Sequence, residues 1–364
     1  MKKLNKVKII DLYIIRKFLV TFFYAIALLI TIVIIFDISE NVQDFIEKQA
    51  PISEILFKYY LNFIPYFVNL FSPLFTFIAV IFFTSKLAGN TEIIAILSSG
   101  ISYKRLMVPY IVASIFLAGL SFYLSNFLIP YTNQNMLDFK DTYISKRIRN
   151  RDRDIHIKIA NDTFVYMESW DNERNIGTNF TYEKMSFDEM SYKIASQTVK
   201  WDTLELKWTL NNYAKRHANG LDEHIETGSS FDTTLNVTPI DFVFVKDEME
   251  TMNYWELRRH IKSEYDKGSD NVKFYEVEKH RRIAFPFATI ILSVIGLSVA
   301  SRKSRQGMGI HLLVGLLISF SFILFMQITT VFATYGNLSP LIAVWIPNLL
   351  FLIISIYLVY AAPK

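Results

Sequence analysis

The chain has 364 residues, 52% of them hydrophobic and 15% aromatic, with a net charge of only +4. That composition excludes a disordered chain and argues against an ordinary soluble enzyme. The small net charge gives nucleic acid no electrostatic reason to bind. There is no Cys, which excludes disulfides, thiol catalysis and Cys-ligated metals.

The charges are segregated. No Lys, Arg, Asp or Glu occurs between Gln306 and Pro363, whereas Asp138 to Arg282 is charged at the density of a soluble protein. The pattern predicts a membrane protein with a water-soluble insert. The basic start, Met1 to Lys8, precedes the apolar run Phe18–Phe36. Asp37 and Glu40 follow that run in place of a small-residue cleavage site, so it reads as an uncleaved membrane helix. Further uncharged runs are Tyr59–Ser85, Leu106–Leu137 and Ile283–Ser301. The last run, Gln306–Pro363, is long enough for two spans, divided by the turn-rich Tyr335-Gly336-Asn337-Leu338-Ser339-Pro340. Six membrane helices result, three on each side of the insert. The expected domains are 1–137 (helices 1 to 3), 138–252 (an all-β insert), 253–282 (connecting helices) and 283–364 (helices 4 to 6).

Orientation follows from the Lys/Arg bias of short loops. Lys2, Lys3, Lys6, Lys8, Arg16 and Lys17 crowd the N-terminus. Lys86, Lys104 and Arg105 follow helix 2, and Arg302, Lys303 and Arg305 follow helix 4. The loop after helix 1 is acidic, with Asp37, Glu40, Asp44, Glu47 and Glu54. Both termini are therefore expected in the cytoplasm and the insert outside it.

Within the insert, Ile155, Ile157 and Ile159 alternate with His156 and Lys158. Phe164-Val165-Tyr166-Met167, the segments around Trp201 and Trp208, and Phe242-Val243-Phe244-Val245 also read as strands. Short strands with polar turns point to a sandwich or barrel-like fold. From Asn253 the period turns helical, with Tyr254, Leu257 and Ile261 on one face.

The loop after helix 2 carries the clearest local signal. Asn90 or Thr91 can cap a helix whose first turn holds Glu92, matched to the helix dipole. Ile93, Ile96 and Leu97 make an apolar face, and Gly100 is placed to end it. Such a helix either lies on lipid or docks into a groove of a cytoplasmic ATPase. In helix 2, Pro65 and Pro73 free backbone carbonyls among Phe67, Phe71 and Phe75. Those rings either wall a cavity or make ordinary packing and lipid contacts. Arg281 and Arg282, beside Lys279 and His280, are either an interfacial anchor or a contact for an anionic lipid head group.

An energy source is missing. The sequence has no G-x-x-x-x-G-K-[ST] loop, no H-E-x-x-H, no G-x-S-x-G, and only scattered His, so it reads as a non-catalytic chain without cofactor, metal or catalytic residues of its own. No ionisable residue falls within an expected span, which counts against ion coupling and favours a partner ATPase.

The architecture and several stretches resemble the LptF/LptG permeases of the lipopolysaccharide export machine. They are Asp11-Leu12-Tyr13-Ile14-Ile15-Arg16-Lys17-Phe18, Phe36-Asp37, Asn90-Thr91-Glu92-Ile93-Ile94 with Ser99-Gly100, Thr163-Phe164-Val165-Tyr166-Met167-Glu168, Leu235-Asn236-Val237-Thr238-Pro239, Ile283-Ala284-Phe285-Pro286-Phe287, and Arg302 with Gly307-Met308-Gly309. The Thr238-Pro239 and Phe164-Val165-Tyr166 stretches lean towards LptG. The resemblance implies a jellyroll insert in the periplasm, an inner-membrane location and a second LptF/LptG-type permease. It also implies a dimeric LptB-type ATPase that uses the ATP, LptC/LptA-type bridge proteins, and lipopolysaccharide as cargo. Asn90 to Gly100 would be the coupling helix, and helices 1 and 5 would face the partner permease. Some members carry a basic residue near the outer end of helix 1; here no Lys or Arg lies between Lys17 and Lys48, so Arg281 and Arg282 become candidates to replace it. Two other readings share these features: a membrane-anchored scaffold with a β domain, and the permease of another ABC-type lipid exporter.

Overall fold

A computed structural model describes residues 8–144, 153–160, 162–171, 174–186, 189–203, 205–219, 222–235, 237–239, 246–267, 269, 271–301 and 308–362. The expected strand at 242–245 and the basic loop residues 302, 303 and 305 lie outside them. The chain forms two compact units, one of Met1–Ile144, Glu250–Tyr254 and Glu276–Lys364, the other of Ser145–Met249 and Trp255–Tyr275.

Among the described residues, six helices are long and apolar enough to cross a membrane: α1 (Ile9–Glu47), α2 (Ile52–Gly89), α4 (Tyr103–Tyr143), α7 (Val272–Ala300), α8 (Met308–Thr334) and α9 (Pro340–Ala361). A short α3 (Glu92–Ser98) joins α2 to α4. The charge-free runs of the sequence thus mark the spans, but the helices outrun them. At about 1.5 Å per residue, the 39 residues of α1 reach roughly 60 Å, about twice the hydrocarbon thickness. Likewise α4 continues to Tyr143, past residue 138 where the alternating pattern was expected to begin. Met136 and Phe139 explain the extension, because both are buried in a cluster with Phe45, Tyr59 and Phe63.

Two wide turns interrupt these helices, Ile55–Tyr60 in α2 and Leu124–Leu128 in α4, each with π-type hydrogen bonding. Next to the first, the hydroxyls of Tyr59 and Tyr60 both donate to the Asp37 carboxylate, at 3.0 Å each.

The core of this unit is built from stripes. Ile14, Phe18, Phe22, Ile26 and Ile30, each four residues apart, bury one face of α1 against α2 and α4. The other faces of α1 stay apolar and exposed, as at Val20, Tyr24 and Leu28. Gly296 lets α7 approach α2, since a Cβ there would come within 2.9 Å of Phe77. Buried polar pairs bind helices across the core, Thr84 with Tyr110 at 3.0 Å and Asn348 to the Ala284 carbonyl at 2.8 Å.

Among its described residues the other unit holds a six-stranded antiparallel sheet whose strands neighbour each other in chain order. They are β1 (Arg153–Ala160), β2 (Thr163–Asp171), β3 (Ile176–Ser186), β4 (Glu189–Asp202), β5 (Lys207–Asn219) and β6 (Asp222–Thr233). One face gathers Val165, Met167, Trp170, Phe180, Ile194, Val199, Trp208 and Leu210 into a core. Trp208 completes it by donating its indole N–H to the Val237 carbonyl at 2.8 Å, which satisfies its one polar atom. The short helix α5 (Lys246–Thr251) precedes α6 (Tyr254–Lys267), whose Leu257 and Ile261 are buried while Arg258, Arg259 and Lys262 are exposed.

Candidate functional site

Two places in the helical unit gather the residues that the sequence singled out. The first is α3. Ile93 is almost fully buried, and Ile96 and Leu97 pack half-buried on the same cluster, which includes Ile14, Phe18, Leu106 and Tyr110. The apolar face of α3 therefore points into its own protein. Its exposed side presents Ile94 and Ala95.

The expected side-chain cap is absent. Thr91 occupies the cap position at φ +64°, a left-handed conformation that is uncommon for a β-branched residue, and its hydroxyl donates to the Asn90 carbonyl at 2.6 Å. That bond turns the oxygen away from the α3 N–H groups. Asn90 acts differently from expectation, donating its amide to Glu92 Oε1 at 3.2 Å. The other Glu92 oxygen accepts from the Tyr13 hydroxyl of α1 at 3.2 Å. Gly100 sits at φ +87° just beyond the helix, where a side chain would be strained.

The second place is a cavity of about 340 Å³ among α2, α4, α7 and α8. Its walls are mostly apolar, with Leu70, Phe71, Leu74, Phe285, Leu292, Phe322 and Met326. One end is ionic, carrying Glu250, Glu278, Arg281 and Arg282. Its uncharged polar lining includes Asn69, Ser125, Ser319 and Gln327. Asn69 bridges two hydroxyls of α4, donating to Ser125 at 2.9 Å and accepting from Ser121 at 2.6 Å. Pro73 cannot donate to the Asn69 carbonyl one turn before it, so this segment departs from a plain apolar helix.

The expected cavity residues divide between two faces of α2. Phe71 and Pro73 line the cavity. Phe67 and Phe75 pack on the core shared with α1, and Phe67 stacks on Phe63 at 4.1 Å. Helical spacing is the reason: residues 67, 71 and 75 form one stripe on the α1 core, and the cavity takes the neighbouring stripe of Tyr66, Asn69, Leu70 and Pro73, with Phe71 at the boundary touching both. Pro65 is half-buried near the start of the first stripe.

Arg281 and Arg282 are not equivalent. Arg282 is 4% exposed, donating to Glu278 at 2.9 Å and to the Met252 carbonyl at 2.6 Å. Arg281 meets the other Glu278 oxygen at 2.6 Å, and its side chain keeps 39% of its exposure. Both arginines line the cavity, but Arg282 is almost wholly buried and committed to the fold, while Arg281 stays partly exposed there. Glu278 was not recognised from sequence, although Glu278-Lys279-His280-Arg281-Arg282 carries the signal, since both arginines fall at helical spacing from it.

In the sheet, Val165 points into the core, whereas Phe164 and Tyr166 lie on the opposite face. There Tyr166 packs on His156 at 4.7 Å, and Lys158 lies 5.9 Å from the Phe164 ring.

Against this geometry, the sequence model of the Lipopolysaccharide export system permease LptF/LptG matches residues 12–361. The chain belongs to this family. No curated protein matches it. Membership in the LptF/LptG family accounts for six membrane-length helices interrupted by a β domain. Among the described residues, no group of His, Asp or Glu is arranged to hold a metal ion.

Proposed function

We propose that the chain is the permease subunit of an ATP-driven exporter, LptG-like within its family, that takes lipopolysaccharide from the outer leaflet of the inner membrane. It then passes the lipid to a periplasmic bridge. The observation that carries this reading is the family match along nearly the whole chain. In it, both termini face the cytoplasm and the β domain, closing as a jellyroll, stands in the periplasm, as the Lys/Arg bias of the loops supports. A dimeric LptB-type ATPase docks on α3, with Asn90, Thr91, Glu92, Ile93, Ile96, Leu97 and Gly100 forming the coupling element. A second LptF/LptG-type permease packs against α1 and α8. The exposed apolar faces of those two helices support that placement. LptC/LptA-type proteins continue the path from the β domain. The cavity lined by Phe71 and Pro73 holds part of the lipid, and Arg281, with N–H groups left over from Glu278, meets its phosphate.

A tagged chain purified from its native membrane tests the reading. It should bring down an ATPase and a second six-span chain, and a photoreactive residue in place of Leu70 should label lipopolysaccharide. Recovery of neither partner overturns the exporter reading.

A further inference from the structure

Two polar contacts tie α1 to the segment around α3, and the proposed function uses neither. Arg105, near the start of α4, lays both terminal nitrogens on the Asp11 carboxylate, at 2.8 Å and 2.5 Å, across 94 residues of chain. Asp11 is buried and also accepts the Lys8 backbone N–H at 3.0 Å, which fixes the first turn of α1. On the other side of α3, the Tyr13 hydroxyl reaches Glu92. Ile14 and Phe18, which follow Asp11 on the same face of α1, enter the core that receives Ile93 of α3 and Leu106 of α4. The start of α1, the inner face of α3 and the start of α4 therefore share one core, with a polar fastening at the first residue of α3 and another beyond its end.

The geometry points to Asp11, Arg105 and Tyr13 as positioning residues that make α1 move with α3. A push delivered to α3 reaches α1 directly, without being absorbed by the turns at 90–91 and 99–102. The two-bond fork at Asp11 fixes angle as well as distance, which a single contact would not. Glu92 spends one hydrogen bond on Tyr13 and one on Asn90, and the remaining lone pairs of its carboxylate can accept a partner's cation without releasing either. This inference rests on the proposal that α3 receives the ATPase, and the test separates the two.

Because the chain has no Cys, two introduced cysteines carry the only spin labels. Arg16→Cys with Ser98→Cys, both exposed positions, reports the distance from α1 to α3 in the full-length chain in nanodiscs. The expected result is a narrow distribution, broadened by Asp11→Asn and restored by the exchange Asp11→Arg with Arg105→Asp. Arg105→Lys, which keeps the charge and loses the fork, falls between. In the complex with its ATPase, Asp11→Asn should retain ATP hydrolysis and lose roughly fivefold or more in lipid released per ATP, the lower range of site-to-site coupling. An unchanged distribution in Asp11→Asn, or unchanged lipid per ATP, overturns the inference. If the wild-type complex hydrolyses ATP and releases no lipid, the export reading fails, and the label distances still decide whether α1 and α3 are fastened.

Discussion

Two arginine–carboxylate clusters in the helical unit use the same chemistry for opposite ends. At Asp11 and Arg105, one carboxylate and one guanidinium join helices that are far apart in the chain. At Glu278, one carboxylate is shared by Arg281 and Arg282 on its own helix. Spacings of three and four residues bring those groups together on any helix, so the pairs at Glu278 specify little tertiary structure by themselves. What they do is divide the labour between neighbours. Arg282 is consumed, and it reaches the Met252 carbonyl as well, while Arg281 keeps part of its donor set for the cavity. Where a salt bridge sits in sequence thus decides whether it fastens the fold or aims a side chain.

Breaking the Glu278 cluster should give the largest effect. Glu278→Gln takes from the buried Arg282 the carboxylate it meets at 2.9 Å, and breaking a buried pair costs about 3–5 kcal/mol. A loss of that size should appear as a clear drop in thermal unfolding temperature in detergent. A loss below about 1 kcal/mol would show that Arg282 does not depend on Glu278 and would erase the contrast with Arg281.

Arg281→Gln sharpens the comparison from the other side. Its pair with Glu278 is half exposed and screened, so stability should change by at most about 1 kcal/mol. Retention of anionic lipid, measured by mass spectrometry of the purified protein, should nonetheless fall. Equal retention in wild type and variant would return Arg281 to the role of an interfacial anchor.

The smallest effect is expected beside the Asp11 cluster. Thr91→Gly removes a β-branched residue from a left-handed conformation, and the relief, about 1 kcal/mol, is partly offset by the extra freedom of glycine when unfolded. A slight gain in thermal stability is expected. A loss would mean that the hydroxyl bond to Asn90 outweighs the backbone strain.

Much of this fold is legible in the sequence, for reasons that differ by element. The spans are plain because a charge inside hydrocarbon is costly, so the charge-free runs could hardly be anything else. The helix at Glu92 is readable from its acidic first turn and the glycine after it. Its cap is not, because the side-chain rotation at Thr91 depends on a backbone angle that residue identity does not announce. Strands β1 and β2 show their alternation, with Ile155 and Ile157 inward and Val165 and Met167 facing them. Strand β6 escapes notice because it runs along the edge of the sheet with most of its side chains in water, so Glu223, His224 and Glu226 give no apolar rhythm. The contact of Asp11 with Arg105 is beyond sequence reasoning, since nothing local relates two residues that only folding brings together.

The wide turn at Ile55–Tyr60 has a consequence of another kind. On an α-helix, consecutive residues point about 100° apart, yet Tyr59 and Tyr60 both serve the Asp37 carboxylate. A turn of this sort amounts to one residue inserted into a regular helix. It is therefore encoded by chain length and by no particular side chain. Exchanging Tyr59 or Tyr60 removes a hydroxyl and leaves the helix in phase. Deleting one residue between Ile55 and Tyr60 would keep nearly every side chain, yet it would turn the first part of α2 relative to the cavity that its second part lines. The orientation of that cavity wall is thus written as a count of residues.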